Sequence, residues 1–289
     1  MIEYKTQGVT VFQSALYQTT STVIETPSCV LVVDPTWLPH EVADIRSYVD
    51  QVRRERPLYL LFTHSDWDHI LAYRAFPDAV TIGSGGLANH PDKEGVLERI
   101  RQFDAEHYIR RPYELAYPEI DVVVHHDGQQ LTLGDTTLTF YLAPGHTPCG
   151  IFSVVAQRGR AILLAGDYLS DVEIPFLSDS SERYEDTMRK AAQIFETHPV
   201  DLLVPGHGLC TADRDEMRLR QQQSLTYIET LRAFVRSGEA DTEASNQLQA
   251  IMQAYPFARG LRAPHQENLA LVRHELGRSP ASKANSNAF

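Results

Sequence analysis

Three cysteines in 289 residues, Cys29, Cys149 and Cys210, none in CxxC spacing, do not make a disulfide framework. So sparse and odd a set fits a reducing compartment. Nowhere does the chain run to the roughly 18 uninterrupted apolar residues of a transmembrane helix. The opening MIEYKTQGVTVF lacks the charged-then-apolar layout of a signal peptide, so a cytoplasmic location and no membrane partner are expected. Positive charge is also scarce: 26 Lys and Arg against 38 Asp and Glu leave a net charge of −12. Nucleic-acid binding depends on phosphate neutralisation by basic clusters, so no nucleic-acid partner is expected and a small-molecule substrate is. The one dense basic run, RRER at 53–56, closes a predicted helix and reads as its solvated end. Internal repeats and low-complexity tracts are absent.

What is present is an ordinary globular composition, 43% hydrophobic and 22% charged, with ample length to bury a core. Short β-branched runs at 8–18, 21–26 and 29–35 predict an opening antiparallel sheet. A helix is predicted over 39–55, strands over 58–62 and 79–83, and a charged amphipathic helix over 93–109. Its aromatics and those that follow, Phe103, Tyr108, Tyr113 and Tyr117, form either an apolar lid over a pocket or the packing of that helix on the core. Strands resume from 121, with hairpin turns signalled by GD at 134–135 and RG at 158–159. A strong helix over 183–198, a strand from 200 and three further helices complete the pattern.

The stretch THSDWDHI places His64, Asp66, Asp68 and His69 directly after the apolar strand LYLLF. Three later strands end the same way. FYLAPGH delivers His146, AILLAGD delivers Asp167 and DLLVPGH delivers His207, each directly after a glycine. Taken singly, each is as well explained as a turn or cap residue. Four strand ends of one construction are not, because a strand fixes its last residue and an adjacent glycine lets the backbone bend there. Imidazole and carboxylate suit Zn, Fe or Mn. Seven such groups exceed what one tetrahedral ion takes, which points to two.

With this ordered set the chain resembles the metallo-β-lactamase superfamily over roughly residues 8–215. The resemblance implies an α/β fold, a four-layer αβ/βα sandwich, here with a C-terminal helical extension. It implies two divalent ions, Zn first with Fe or Mn as alternatives. One would take His64, Asp66 and His146, the other Asp68, His69 and His207, with Asp167 bridging. The activity it implies is a hydrolase using a metal-bridging hydroxide on an ester, lactone or thioester. Asp68 would orient the nucleophile or carry its proton, and Tyr168, beside Asp167, would offer its hydroxyl to a reacting oxygen. β-Lactamase activity itself does not follow from the fold.

The usual first motif of that family is His-x-His-x-Asp-His, and Asp66 stands where the second histidine would be. A carboxylate there is a harder donor and adds negative charge, which favours Fe or Mn more than imidazole does. Two rivals follow: a diiron-type oxidoreductase related to the flavodiiron metal domain, whose members carry Glu at this position, and a mononuclear or non-catalytic metal-binding module. The chain after Thr211 reads as helical and does not resemble a flavin-binding unit, which favours hydrolysis. The expected organisation is a catalytic domain over 1–215, a helical extension over 216–280 packed on it, and a flexible tail over 281–289. The apolar stripe of the extension suits either a homodimer surface or its own domain. Asp171 and Glu173, in the loop after Tyr168, disfavour a phosphorylated substrate; His125 and His126 are expected at the surface, and His265 and Glu267 either cap the site from the extension or cap their own helix.

Overall fold

Alternating side chains sort the strands of this chain into layers. The computed structural model describes residues 1–277, so the expected tail at 281–289 and the end of the extension from 278 lie outside the described residues. One sheet runs β1 (Ile2–Thr6), β2 (Val9–Gln13), β3 (Thr20–Glu25), β4 (Val30–Val33), β5 (Leu58–Leu61), β6 (Val80–Ser84) and β7 (Val122–Val124), in that order. It is antiparallel from β1 to β4, as the opening runs predict, and parallel from β4 to β7. The second runs β12 (Val200–Val204), β11 (Arg160–Leu164), β10 (Ile151–Gln157), β9 (Thr136–Leu142) and β8 (Gln129–Leu133), with only β11–β12 parallel. Its hairpins turn at Gly134–Asp135 and Arg158–Gly159, where the sequence signals them.

The helices are α1 (Pro39–Arg53), α2 (Trp67–Ile70), α3 (Gly85–Ala88), α4 (Lys93–Glu106), α5 (Ser181–Thr197), α6 (Arg214–Arg236), α7 (Thr242–Ala254) and α8 (Arg262–Glu275). Strand β4 is buried throughout, which is why it reads as an unbroken apolar run. Val30 and Val32 point toward Val42, Ile45 and Val49 of α1. Leu31 and Val33 point the other way, into a core shared with Phe140, Val155 and Leu164 of the second sheet. Beyond that sheet, Phe152, Val154 and Leu163 pack with Tyr184 and Met188 of α5 and with Leu231, Leu248 and Leu269 of α6, α7 and α8. Four layers result, helix–sheet–sheet–helix. Among the described residues no helix is long and apolar enough to cross a membrane.

Three local readings need correction. The run 8–18 is not one strand: β2 ends at Gln13, and Tyr17 and Gln18 take positive φ in the loop that follows. Strand β1 carries only a short alternation, Ile2 and Tyr4 against Glu3 and Lys5, which the reading of the opening runs left out, and it is only partly buried. The RRER run is not simply solvated. Arg53 pairs with Asp78, and Arg56 donates to the carbonyls of Thr26 and Val52. Of the lid aromatics, Phe103, Tyr113 and Tyr117 pack into the first core, and Phe103 lies 4.7 Å from Trp37 and 5.1 Å from Trp67 between ring centroids. Tyr108 alone is free, 93% exposed.

Because Leu231 shares its core with Phe152 and Leu163, Leu231→Ala is expected to lower the stability of the whole chain by about 2–5 kcal/mol. Trp37 and Trp67 both lie on the opposite, α1 side of the molecule. Denaturant transitions followed by tryptophan fluorescence and by far-UV circular dichroism should therefore shift together; a shift seen by dichroism alone would mean the extension unfolds separately.

Candidate metal centre

The four strand exits named by the sequence meet at one end of the two sheets. Thr63 and His64 stand just past the end of β5, and the short α2 that follows carries Asp68 and His69, with Asp66 at its N-cap. From the second sheet come His146 after β9, Asp167 after β11 and His207 after β12. Glycine is needed where these exits crowd. A Cβ on Gly206 would lie 2.2 Å from Asp167 Oδ1, and one on Gly145, whose φ is +126°, would lie 2.3 Å from the Tyr184 nitrogen.

Asp167 is the hub. Its Oδ1 is 3.0 Å from His69 Nε2, and its Oδ2 is 3.4 Å from His64 Nε2, 3.3 Å from His146 Nε2 and 3.4 Å from His207 Nε2. Two groups surround it. Asp66 Oδ2 lies 3.1 Å from His146 Nε2 and 3.7 Å from His64 Nε2. Asp68 Oδ2 lies 3.4 Å from His207 Nε2 and 3.5 Å from His69 Nε2. The sets His64–Asp66–His146–Asp167 and Asp68–His69–His207 each have ligand-type atoms close enough to hold an ion.

Each imidazole is turned by a partner on its other nitrogen. His146 Nδ1 donates to the Phe176 carbonyl at 3.0 Å and His207 Nδ1 to the Tyr17 carbonyl at 2.9 Å. His69 Nδ1 donates to Asp34 Oδ2 at 3.0 Å. Thr63 gives its hydroxyl proton to the same oxygen at 2.5 Å, which leaves the Thr63 oxygen to accept from His64 Nδ1 at 3.0 Å. Carbonyls and carboxylates only accept, so Nδ1 holds the proton and Nε2 is the free donor atom in all four rings. Asp34, buried and bonded also to the Thr63 nitrogen at 2.9 Å, is a site residue that the motif reading missed. Its signal was present in VVDP, another apolar strand ending in Asp.

The inner atoms are built for cations. His64 Nε2, His146 Nε2 and Asp167 Oδ1 are buried without a hydrogen-bond partner among the described residues. Lone pairs facing carboxylates repel unless a proton or a metal ion lies between them. Burial alone would push His69 down, but Asp167 and Asp68 outweigh it and hold the ring well above the ordinary 6.5. His146 is raised likewise against burial by Asp167 and Asp66, and His207 by Glu173 and Asp167. Asp167 is held well below the usual carboxylate range, its desolvation outweighed by His69, His207 and His64. The residues present therefore fit divalent ions, with nitrogen and oxygen donors only.

Neither nearby thiol joins the set. Cys149 Sγ donates to Ser65 Oγ at 3.0 Å, and Cys210 is pushed up by burial and by Glu3. Tyr168 does not take the expected position. Its hydroxyl donates to the Ala143 carbonyl and accepts from the His146 nitrogen, both at 2.9 Å. That single proton is committed, so Tyr168 braces the His146 loop instead of serving a reacting oxygen. Glu173 lies 3.7 Å from His207 Nδ1, and burial pushes it up to about 7. His125 and His126 are exposed elsewhere, and His265 pairs with Tyr227 at 2.9 Å.

Comparison with known proteins supports this architecture. The family model of the metallo-beta-lactamase superfamily matches residues 15–207. Comparison with curated proteins gave no match. Among solved structures, the stereoselective inverting sec-alkylsulfatase Pisa1 from Pseudomonas sp. is similar with a TM-score of 0.71 at 14% identity, over 99% of this chain and 52% of that one. The chain thus spans about half the length of that protein. A metallo-beta-lactamase family protein from Thermus thermophilus aligns over 94% of this chain and 95% of its own, with a TM-score of 0.62 and 16% identity. A B3 metallo-beta-lactamase with an active-site glutamic acid covers 75% of this chain and 84% of its own, at 0.52 and 19%. At such identities the likeness is one of fold.

Two outcomes are expected. A divalent ion takes neutral imidazole, and three of these rings hold their protons above pH 6.5. Metal binding should then release protons at pH 7 and tighten as pH rises; calorimetry in buffers of different ionisation enthalpy measures the release, and none would mean the Nε2 atoms are not ligands. Asp34→Asn, which removes charge behind His69 and Thr63, should weaken metal binding by roughly 10–100-fold, read by chelator competition.

Proposed function

The chain belongs to the metallo-beta-lactamase superfamily, and we propose that within it this protein is a metal-dependent hydrolase of a neutral ester, lactone or thioester. The observation that carries the reading is the central carboxylate, Asp167, with four Nε2 atoms 3.0–3.4 Å from it and a further carboxylate on either side. His64, Asp66 and His146 would hold one divalent ion, Asp68, His69 and His207 a second, with Asp167 shared. Ions so held supply a water acidic enough to act as a nucleophile near neutral pH and positive charge opposite the oxygen that turns anionic. Zinc suits the four imidazoles, and the carboxylate of Asp66 gives iron or manganese more weight than a fifth histidine at that position would.

The protein's own groups then do three things. Asp34, Thr63, Phe176 and Tyr17 hold the four rings so that little reorganisation is needed during reaction. Asp68, its side chain 12% exposed beside His207, would take the nucleophile's proton and pass it toward the leaving group. Asp66, Asp68, Asp167 and Glu173 together set the charge of the cavity, and their ionic partners among the described residues are histidines alone. With no lysine or arginine placed among them to receive an anionic group, a neutral substrate is favoured over a sulfate or phosphate ester, including the alkyl sulfates implied for the Pseudomonas protein by its name.

The test is a matched panel: p-nitrophenyl acyl esters, simple lactones and a thioester against alkyl sulfate and phosphate monoester. Protein stripped with chelator and reloaded with Zn, Mn or Fe is assayed on each. Hydrolysis of the neutral members should vanish with chelator, return with metal, and fall to background in Asp167→Asn. Preferred cleavage of the sulfate would overturn the charge argument. Oxygen uptake with a supplied reductant and no hydrolysis would replace the hydrolase by an oxidoreductase.

A further inference from the structure

From the C-terminal extension, Asn268 reaches a segment that lies directly behind the metal centre. Asn268, on α8, is 1% exposed, and its amide is fully engaged. Its Oδ1 accepts from the Leu177 nitrogen at 2.9 Å, and its Nδ2 donates to the Pro175 carbonyl at 2.6 Å and to the Tyr227 hydroxyl at 2.9 Å. The backbone groups of the alternate residues, 176 and 178, face the other way. The Phe176 carbonyl accepts from His146 Nδ1 at 3.0 Å, and the Ser178 nitrogen donates to the His146 carbonyl at 2.9 Å. Segment 175–178 is therefore bonded along two opposite edges, as a strand is. A side-chain amide on one edge takes the place of a neighbouring strand, and a candidate metal ligand occupies the other.

From this arrangement we infer that Asn268 is a positioning residue for His146: it fixes the segment whose carbonyl sets the tautomer and angle of that ring. The inference rests on the metal-centre reading of the proposed function. Glu275, seven residues further along α8, accepts from the Ser181 nitrogen at 2.9 Å and from its hydroxyl, so the chain is pinned again where it enters α5 just beyond the segment. The other rings are turned by groups outside the extension, Asp34, Thr63 and Tyr17. Loss of Asn268 should therefore act on one metal position and spare the other.

The experiment is a zinc titration of the full chain against a chromophoric chelator, resolving two affinities, with thermal melting of the same samples. The variants are Asn268→Ala, Asn268→Asp, His146→Ala and, as a control, Val272→Ala, a buried packing residue on the same helix. Asn268→Asp keeps the acceptor for Leu177 but loses both donors, and serves if the alanine variant does not fold. The expected result is that one affinity falls roughly 10–100-fold in the Asn268 variants, the same one that His146→Ala abolishes. Adding Asn268→Asp to His146→Ala should change the remaining affinity no further, and Val272→Ala should lower the melting temperature with both affinities kept. Unchanged affinities in folded Asn268→Asp, or an equal loss in Val272→Ala, would overturn the positioning role. A wild-type chain that takes up no zinc, manganese or iron would instead overturn the metal-centre reading beneath it.

Discussion

Asp167 stands 3.0–3.4 Å from the Nε2 atoms of four histidines, and all five side chains are buried. Four lone pairs and a carboxylate cannot be held that close without positive charge among them, and the rest of the site is arranged around that requirement. Glycine at 206 is one consequence, because any Cβ there would strike the carboxylate. The fixed Nδ1 partners are another. An imidazole free to turn would escape the crowding, and each ring is denied that freedom by an acceptor behind it.

Those acceptors come from different layers of the molecule. Asp34 closes β4 of the first sheet and serves His69 directly and His64 through Thr63. Tyr17 belongs to the loop between β2 and β3, and Thr20, at the start of β3, binds across to the Gly206 and Pro205 carbonyls. That loop is held in turn by the buried Glu41 of α1, which accepts from Ser14 Oγ at 2.8 Å and from the Ala15 nitrogen at 2.9 Å. Phe176 leads the chain into α5. The centre thus joins both sheets and two of the helical layers, so its geometry depends on how the layers pack.

The surplus of carboxylate shapes the chemistry as well. Asp66 in place of an imidazole, with Glu173 close by His207, lowers the positive charge that two bound cations would otherwise present to a substrate. A site of this balance has less to offer a sulfate or phosphate than a carbonyl. The same carboxylates raise the affinity of the three titrating histidines for protons, so metal and proton compete for the same nitrogens.

The sequence by itself determined the candidate ligands and the broad architecture. Each ligand follows a run of apolar residues whose period and length mark a strand, and three follow a glycine, so the ends of buried strands were legible without coordinates. The GD and RG hairpins and the helical ending were legible for the same reason: turn chemistry and periodicity are local. What only the tertiary structure decided is which groups stand behind the ligands. Asp34 looks like any strand-end aspartate until β4 is paired beside β5, and Tyr168 looks like a proton donor until its hydroxyl is found between Ala143 and His146. Asn268 lies 91 positions along the chain from the backbone nitrogen it holds. A hydrogen bond across such a distance leaves no periodicity in the sequence, because it is made by the packing of layers and not by neighbours along the chain.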